Sequence, residues 1–338
     1  MPFHGAISLA LTSGRRALLC VCVALTTLTA PVSLRAAPEA PTIVRARELL
    51  DSYHGEQAKL EDAAALIKKA HEANPKDAHV YLQAARAVVL GGFLGFGRYE
   101  AGSFDSYVAL LDRSLELDPT IPKTHILKAQ VYGRTGHFPE ELRELEAAKA
   151  LGTQDPWLKI EYARYNKNIG KRFDAYHLYR EIEDAGPGTS ASERNAFCEA
   201  LMSLHGWRIG DEDMEKKKRR LAAAALKARI PTDAWTPLSW AEVFIGEGMF
   251  DDGIAYGRES LKTRDFGGAR MALALGLYVK AAQEMDHGKT QKDPGVQALI
   301  REANALKVPR SALLQYLGQY QSNSKVTPYR AALEKIVL

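Results

Sequence analysis

Chemistry in a protein chain needs nucleophiles, proton carriers or metal ligands at matched spacing, and this sequence offers few. No HExxH, CxxC, HxxxH or GxSxG pattern occurs, and the histidines after His4 are scattered. Neither a metal-ligand set nor a nucleophile elbow is therefore expected. Cys198 and His205 come nearest to a thiol–imidazole couple. Their separation corresponds to about 10 Å of helix rise, too far for the direct contact such a couple requires. Cys198 lies in the apolar pattern AFCEALM and reads as a buried structural thiol. Carboxylates are plentiful, but solvated helical surfaces account for them, and glycoside chemistry would need two facing each other across a cleft. The sequence-based expectation is a non-enzyme with no catalytic residue, no metal and no cofactor.

Two stretches carry binding chemistry instead. LGGFLGFGRYEAGSFD, residues 90–105, alternates five glycines with Phe93, Phe96, Tyr99 and Phe104. Glycine permits tight or positive-φ backbone, and the aromatics need either the protein's own core or a partner. Two readings stay open: a loop folded back on the protein, or a tip that touches a partner or a membrane. The stretch lacks a GxxxxGK[ST] phosphate loop, so a nucleotide site is not expected there. EDMEKKKRRLAAAALKA, residues 212–228, is the second stretch. Asp213–Lys217 and Glu215–Arg219 are four apart and can pair on a helix, which favours a solvated face over a polyanion site.

Charge and leader bound the compartment. The chain has 338 residues, with 45 Lys+Arg against 41 Asp+Glu. Residues 1–37 contain Arg15, Arg16 and Arg35 and no acid, so the remainder is nearly neutral. On charge alone, nucleic acid is not expected as a partner. Arg15 and Arg16 precede ALLCVCVALTTLTA and then PVSLRAAPEAP, the order of a secretory signal peptide. An apolar run of about fourteen residues is too short for a spanning helix. Cleavage near Ala36 or Ala37 would remove Cys20 and Cys22 and leave Cys198 alone, with no intrachain disulfide. The expected location is the periplasm or the secreted fraction, with no transmembrane domain after signal removal.

The elements that must carry these residues are helices. LEDAAALIKKAHEANP, SYVALLDRSLELDP and EELRELEAAKALGTQDP each run into Asn-Pro or Asp-Pro, which stops one helix and starts another. In KTHILKAQVYGRTGHFPEELRELEAAKAL, Ile126, Ala129 and Tyr132 stripe one helix, and Leu142, Leu145 and Ala148 the next. In the following unit Leu158, Tyr162 and Tyr165 precede Gly170, and Ala175, Tyr179 and Ile182 follow it. Gly136 and Gly170 stand 34 residues apart. Neither pair buries its stripe alone, so stacking on neighbours must supply the core.

This pattern resembles the tetratricopeptide repeat (TPR) superfamily, in the form of an exported bacterial TPR-like protein. In a unit starting at Pro122, Ala129, Tyr132, Gly136 and Ala148 fit the motif, while Glu141 stands where Ala is usual. A unit starting at Pro156 fits at Ala163, Gly170, Ala175, Tyr179 and Pro187. A unit from Ala234 gives Ala241, Phe244 and Gly248, but its Gly253 and Gly257 predict a loosely packed second helix. The resemblance implies an all-α superhelical solenoid of antiparallel helix pairs. The organisation expected is a signal at 1–37, TPR-like repeats over 38–265, and further repeats with a C-terminal cap over 266–338.

The resemblance also implies a concave groove lined by the first helix of each pair. Carried across, its inward positions include His79, Leu82, Arg86, Lys123, Ile126, Gln130 and Arg134. Trp157, Ile160, Arg164, Lys167, Trp235, Leu238 and Glu242 follow. Such a wall could receive an extended peptide or an acidic chain terminus; alternatively Trp157 packs between repeats and the cations are simply solvated. The implied role is an adaptor or scaffold for a protein or peptide of the cell envelope. An accessory or enzyme acting on an envelope glycan is the first alternative, favoured by carboxylates and aromatics gathered in the groove. A structural assembly subunit is the second, favoured by exposed apolar end repeats.

Overall fold

The computed structural model describes residues 38–95, 98–99, 102–320 and 324–336. The leader at 1–37 lies outside them, as do Phe96 and the side chains of Phe93 and Tyr99. From residue 41 onward the helical periodicity becomes consecutive antiparallel helix pairs. The first two are α1 (Pro41–Asp51) with α2 (Gln57–Ala73) and α3 (Ala78–Gly91) with α4 (Ser103–Leu117). Next come α5 (Pro122–Thr135) with α6 (Phe138–Ala150), and α7 (Pro156–Asn168) with α8 (Arg172–Ala185). Then follow α9 (Ala191–Leu204) with α10 (Met214–Ala228) and α11 (Trp235–Gly246) with α12 (Phe250–Thr263). The last full pair is α13 (Gly267–Asp286) with α14 (Pro294–Ala305), before the short α15 (Arg310–Leu317) and α16 (Arg330–Ile336). The fold is an all-α, TPR-like superhelical solenoid.

Local chemistry sets the pair boundaries. Pro122 and Pro156 occupy the first turns of α5 and α7, where a missing N–H costs nothing. The Asp155 carboxylate accepts from the Trp157 amide, and Ser190 with Glu193 forms a reciprocal capping box on α9. Gly136 and Gly170 adopt φ of 78° and 83°, the left-handed turn that side chains resist. Behind each turn the apolar stripes meet. Ala129, Leu145, Ala148 and Leu158 share one buried cluster, while Ala163, Ala175, Tyr179 and Ile182 share the next.

Three sequence expectations change here. Gly253 and Gly257 do not loosen α12. A Cβ on Gly253 would stand 2.6 Å from Ile245 Cγ1, and one on Gly257 would stand 3.3 Å from Leu273 Cα. The glycines let α12 press closely on α11 and α13, a tighter contact than Ala would allow. Glu141, in the place of the usual Ala, is buried on α6. Gly133 on α5 makes room for it, since a Cβ there would approach Glu141 Oε1 at 2.6 Å. Finally, the glycine-rich stretch contains a small antiparallel hairpin, β1 (Phe93–Gly95) and β2 (Arg98–Tyr99), with Phe93 opposite Tyr99. Phe104 belongs to the protein's own core, packed in the cluster of Tyr107 and Leu111.

The solenoid curves until its beginning meets its later repeats. Asn195 Nδ2 donates to the Asp51 carbonyl at 2.9 Å, and Lys59 Nζ to Thr232 Oγ1 at 3.2 Å, across 144 and 173 residues respectively. Tyr53 and His54 both meet the Trp235 ring edge-on, and His54 Nε2 lies 3.7 Å from Asp233 Oδ1. Arg264 Nη1 approaches Glu56 Oε2 at 3.8 Å. This polar seam joins the α1–α2 turn to α9 and to the segments flanking α11 and α12. Among the described residues no helix is long and apolar enough to cross a membrane.

Candidate functional site: a central cavity

Curvature of this kind turns the inner helix of every pair toward one space. The result is a cavity of about 930 Å³ whose walls come mainly from α1, α3, α5, α7, α9, α11 and α13. That volume is at the upper end of the roughly 300–1,000 Å³ typical of ligand sites. Of the fourteen inward positions carried from the family, nine line it, Arg86, Lys123, Gln130, Arg134, Trp157 and Trp235 among them. Ile126, Leu238 and Glu242 complete the nine.

Arg164 and Lys167 are not on the wall. Arg164 is drawn between two carboxylates that are, donating to Glu161 Oε1 and Glu199 Oε1 at 2.6 Å each. It therefore ties α7 to α9 from behind the surface. Lys167 is exposed in the last turn of α7, rotated away from the lumen. His79 and Leu82 are buried in the packing around α3, not in the cavity, because their turn of the helix faces neighbouring elements.

The wall is a wired mixture of charges set among aromatic rings. Arg86 Nη2 donates to Asp51 Oδ1 at 2.5 Å, which joins α3 to α1. Lys123 Nζ meets Asp155 Oδ2 at 2.8 Å and stands 5.6 Å from the centre of the Trp157 ring. Burial pulls the Lys123 pKa down and Asp155 opposes that pull. Gln130 Nε2 donates to Glu161 Oε1 at 3.1 Å. Asp233 accepts from the amides of Trp235 and Thr236, so one carboxylate both starts α11 and faces His54. Trp157 also packs against the clusters on both sides of α7, so it serves as wall and wedge together.

Glu242 differs from its neighbours. Its Oε1 accepts from the Tyr316 phenol at 2.5 Å, and no described cation lies within ion-pair distance. Burial pushes its pKa up to about 7, with the phenol opposing. Carboxylates and aromatics are thus gathered in the lumen, as the glycan alternative requires. Asp51, Glu161, Glu199 and Asp233 are each already committed to a protein cation or cap, which leaves few free for a two-carboxylate mechanism.

The remaining candidates resolve individually. Cys198 is buried with its thiol toward the Ala225 carbonyl, and burial pushes its pKa up to about 12, with the Asp233 charge adding. A thiol held protonated in this way is a poor nucleophile. His205 packs on Trp240 instead of reaching it. Only part of the basic run is a solvated face: Lys216, Arg219 and Arg220 are exposed, and the two lysines between them turn inward. Lys217 and Lys218 are buried, with Lys217 Nζ donating to the Trp207 carbonyl and Glu212, and Lys218 paired to Glu247 at 3.0 Å. The expected Glu215–Arg219 pair forms, but Asp213 caps α10 and leaves Lys217 to turn inward. Among the described residues the exposed large apolar side chains are Ile169, Phe173 and Ile209, which sit in the middle repeats rather than at an end.

Sequence reasoning missed the α9 face and the seam. Ser192, Asn195, Glu199 and Met202 line the cavity at helical spacing beside Cys198, and that periodicity was available to find them. Asp51, Arg264 and Tyr316 had no such signal, because only curvature brings them to the wall.

No family model matches the chain, and no curated protein matches it. Solved structures do match. A monomeric mutant of IFIT1 with Gppp-AAAA is 16% identical with a TM-score of 0.52, covering 82% of this chain and 59% of that one. The human IFIT1 dimer with PPP-AAAA has the same identity and TM-score, covering 82% of this chain and 60% of its own. This chain therefore spans about three fifths of their length. The likeness is one of fold, a TPR-like helical solenoid. It also corrects the inference from charge: structures of this architecture are seen with nucleic-acid ligands, so a nearly neutral net charge does not exclude them.

Proposed function

We propose that the protein is an exported, non-catalytic scaffold that holds an extended segment of another envelope protein in its central cavity. The observation that carries this reading is the wall itself: both signs of charge, most of them paired, stand with Trp157, Trp235 and Tyr53 around one half-open space. Paired charges offer hydrogen bonds of fixed direction without a large net field. That arrangement suits a peptide, whose amides and side chains alternate polar and apolar contacts. The leader sequence supports export, and the commitment of most lumen carboxylates and of Cys198 supports a binding role.

A second reading, a nucleic-acid ligand, is favoured by the ligands of the solved neighbours, Gppp-AAAA and PPP-AAAA. Fluorescence separates the two, because Trp157, Trp235 and Trp240 all line the cavity. Purified protein is titrated with a peptide digest of the envelope fraction and with PPP-AAAA. Saturable quenching by peptides, weakened in Trp235→Phe and absent with PPP-AAAA, supports the peptide reading. Saturation by PPP-AAAA alone replaces it with the nucleic-acid one. Fractionation of cells expressing the full chain tests export, and recovery with cytosolic markers would overturn that part.

A further inference from the structure

Among the described residues, one carboxylate of the cavity wall has no cation, imidazole or helix-start amide facing it. Asp51 faces Arg86, and Glu161 and Glu199 share Arg164. Asp233 spends its oxygens on the start of α11 and lies near His54. Among the described residues Glu242 has no cationic partner within reach and receives a single donor, the Tyr316 hydroxyl on Oε1. Its Oε2 accepts nothing from the described residues, yet it is not sealed in the interior as Glu141 Oε2 is. One oxygen is held in orientation and the other is left to the lumen.

The surroundings fit a cation with an apolar stem. Trp235, Phe266 and Met271 line the same cavity as Glu242; Trp235 and Met271 offer aromatic and polarisable surface, while the Phe266 ring already carries the Arg264 guanidinium 4.5 Å from its centre. A buried carboxylate is costly to ionise alone and cheap to ionise beside a cation, so it discriminates strongly between charged and neutral ligand groups. Burial already raises its pKa to about 7, which leaves it half-neutral near physiological pH until a cation arrives. Tyr316 ties the site to the C-terminal repeats, since it projects from α15 onto α11.

We infer that Glu242, oriented by Tyr316, is the cation acceptor of the cavity and receives the ammonium or guanidinium of the bound ligand. The inference rests on the cavity being a ligand site and adds the chemistry of the group it selects. For a peptide, that group is a Lys or Arg side chain or a free amino terminus.

The probe is phenethylammonium, compared with its neutral analogue phenethyl alcohol, followed by tryptophan fluorescence at pH 7.5. The full chain should bind the ammonium about tenfold tighter than the alcohol, the worth of one charge-assisted hydrogen bond. Glu242→Gln should bring that ratio close to one while leaving the alcohol's affinity unchanged. Tyr316→Phe should lower the ratio by a few-fold, because the carboxylate loses its orienting donor. Circular dichroism melts of both variants check that the cavity persists. A ratio unchanged in Glu242→Gln, or equal binding of both probes to the wild type, overturns the cation acceptor and leaves the cavity reading standing. Binding of neither probe, with peptides also inert, overturns both.

Discussion

Replacing Glu141 by Gln should make the protein more heat-resistant at alkaline pH and leave it nearly unchanged at acid pH. Glu141 is 1% exposed between α5 and α6, with its Oε2 unpartnered and Gly133 cleared away to admit it. Burial pushes its pKa from 4.5 up to about 7; the Glu161 charge adds and Arg164 subtracts. The sign follows from linkage. Below about pH 4.5 both folded and unfolded forms are protonated and no penalty exists. As pH rises toward 7 the unfolded chain ionises first, so stability falls, and above 7 the loss is complete. A rise from 4.5 to about 7 corresponds to a ceiling of about 3.4 kcal/mol. Hydration of the cleft and relaxation around the carboxylate reduce the expected effect to about 1.5 kcal/mol. Gln keeps the shape and cannot ionise. Differential scanning fluorimetry should show a melting temperature raised by about 2–4 °C at pH 8, with the difference vanishing near pH 4.5. An equal shift at both pH values, or a loss at both, would refute the assignment of a neutral carboxyl to this site.

Further outcomes test the packing and the wiring. Gly253→Ala should destabilise by about 1–3 kcal/mol in thermal melts, because its Cβ would meet Ile245 Cγ1 at 2.6 Å. Gly267→Ala, where a Cβ would meet nothing within 4 Å, should leave the protein as stable as before or slightly more so. Arg164→Ala strips the cation from buried Glu161 and from Glu199, and should cost about 3–5 kcal/mol, with hydrogen exchange rising across α7 and α9. The double variant Arg164→Ala/Glu161→Gln should recover part of that loss; no recovery would mean the arginine acts through packing alone. Native Cys198 should react with iodoacetamide at pH 7.5 at least about a hundredfold more slowly than in the unfolded chain, since its thiol pKa is raised to about 12.

Much of the architecture is local and could be read along the chain. Pro122, Pro156, Gly136 and Gly170 act within one turn of backbone, so their effect on helix boundaries needs no distant partner. The stripes of Ala129, Leu145, Tyr179 and Ile182 follow helical period, and the period alone demands a neighbouring helix to cover them. Inward positions such as Arg86, Lys123, Trp157 and Trp235 were legible because a repeat presents the same face each time.

Close approach and curvature were not legible. Gly253 looks like a weak helix residue until the distance to Ile245 shows what a methyl would strike. Lys217 and Lys218 look solvated until the Trp207 carbonyl and Glu247 arrive to receive them. Whether a wall arginine faces solvent or a carboxylate depends on a residue far away in sequence, as Arg164 and Glu199 show across 35 positions. The sequence by itself determined the helices, their pairing and part of the face that α3, α5, α7 and α11 turn inward, because those depend on interactions within a few turns. Only the tertiary structure decided that the stack closes through Asn195 and Asp51 into a lumen, and that Glu242 meets a phenol from α15 with no cation beside it among the described residues. Both outcomes are sums of small rotations between successive repeats, and no single repeat encodes such a sum.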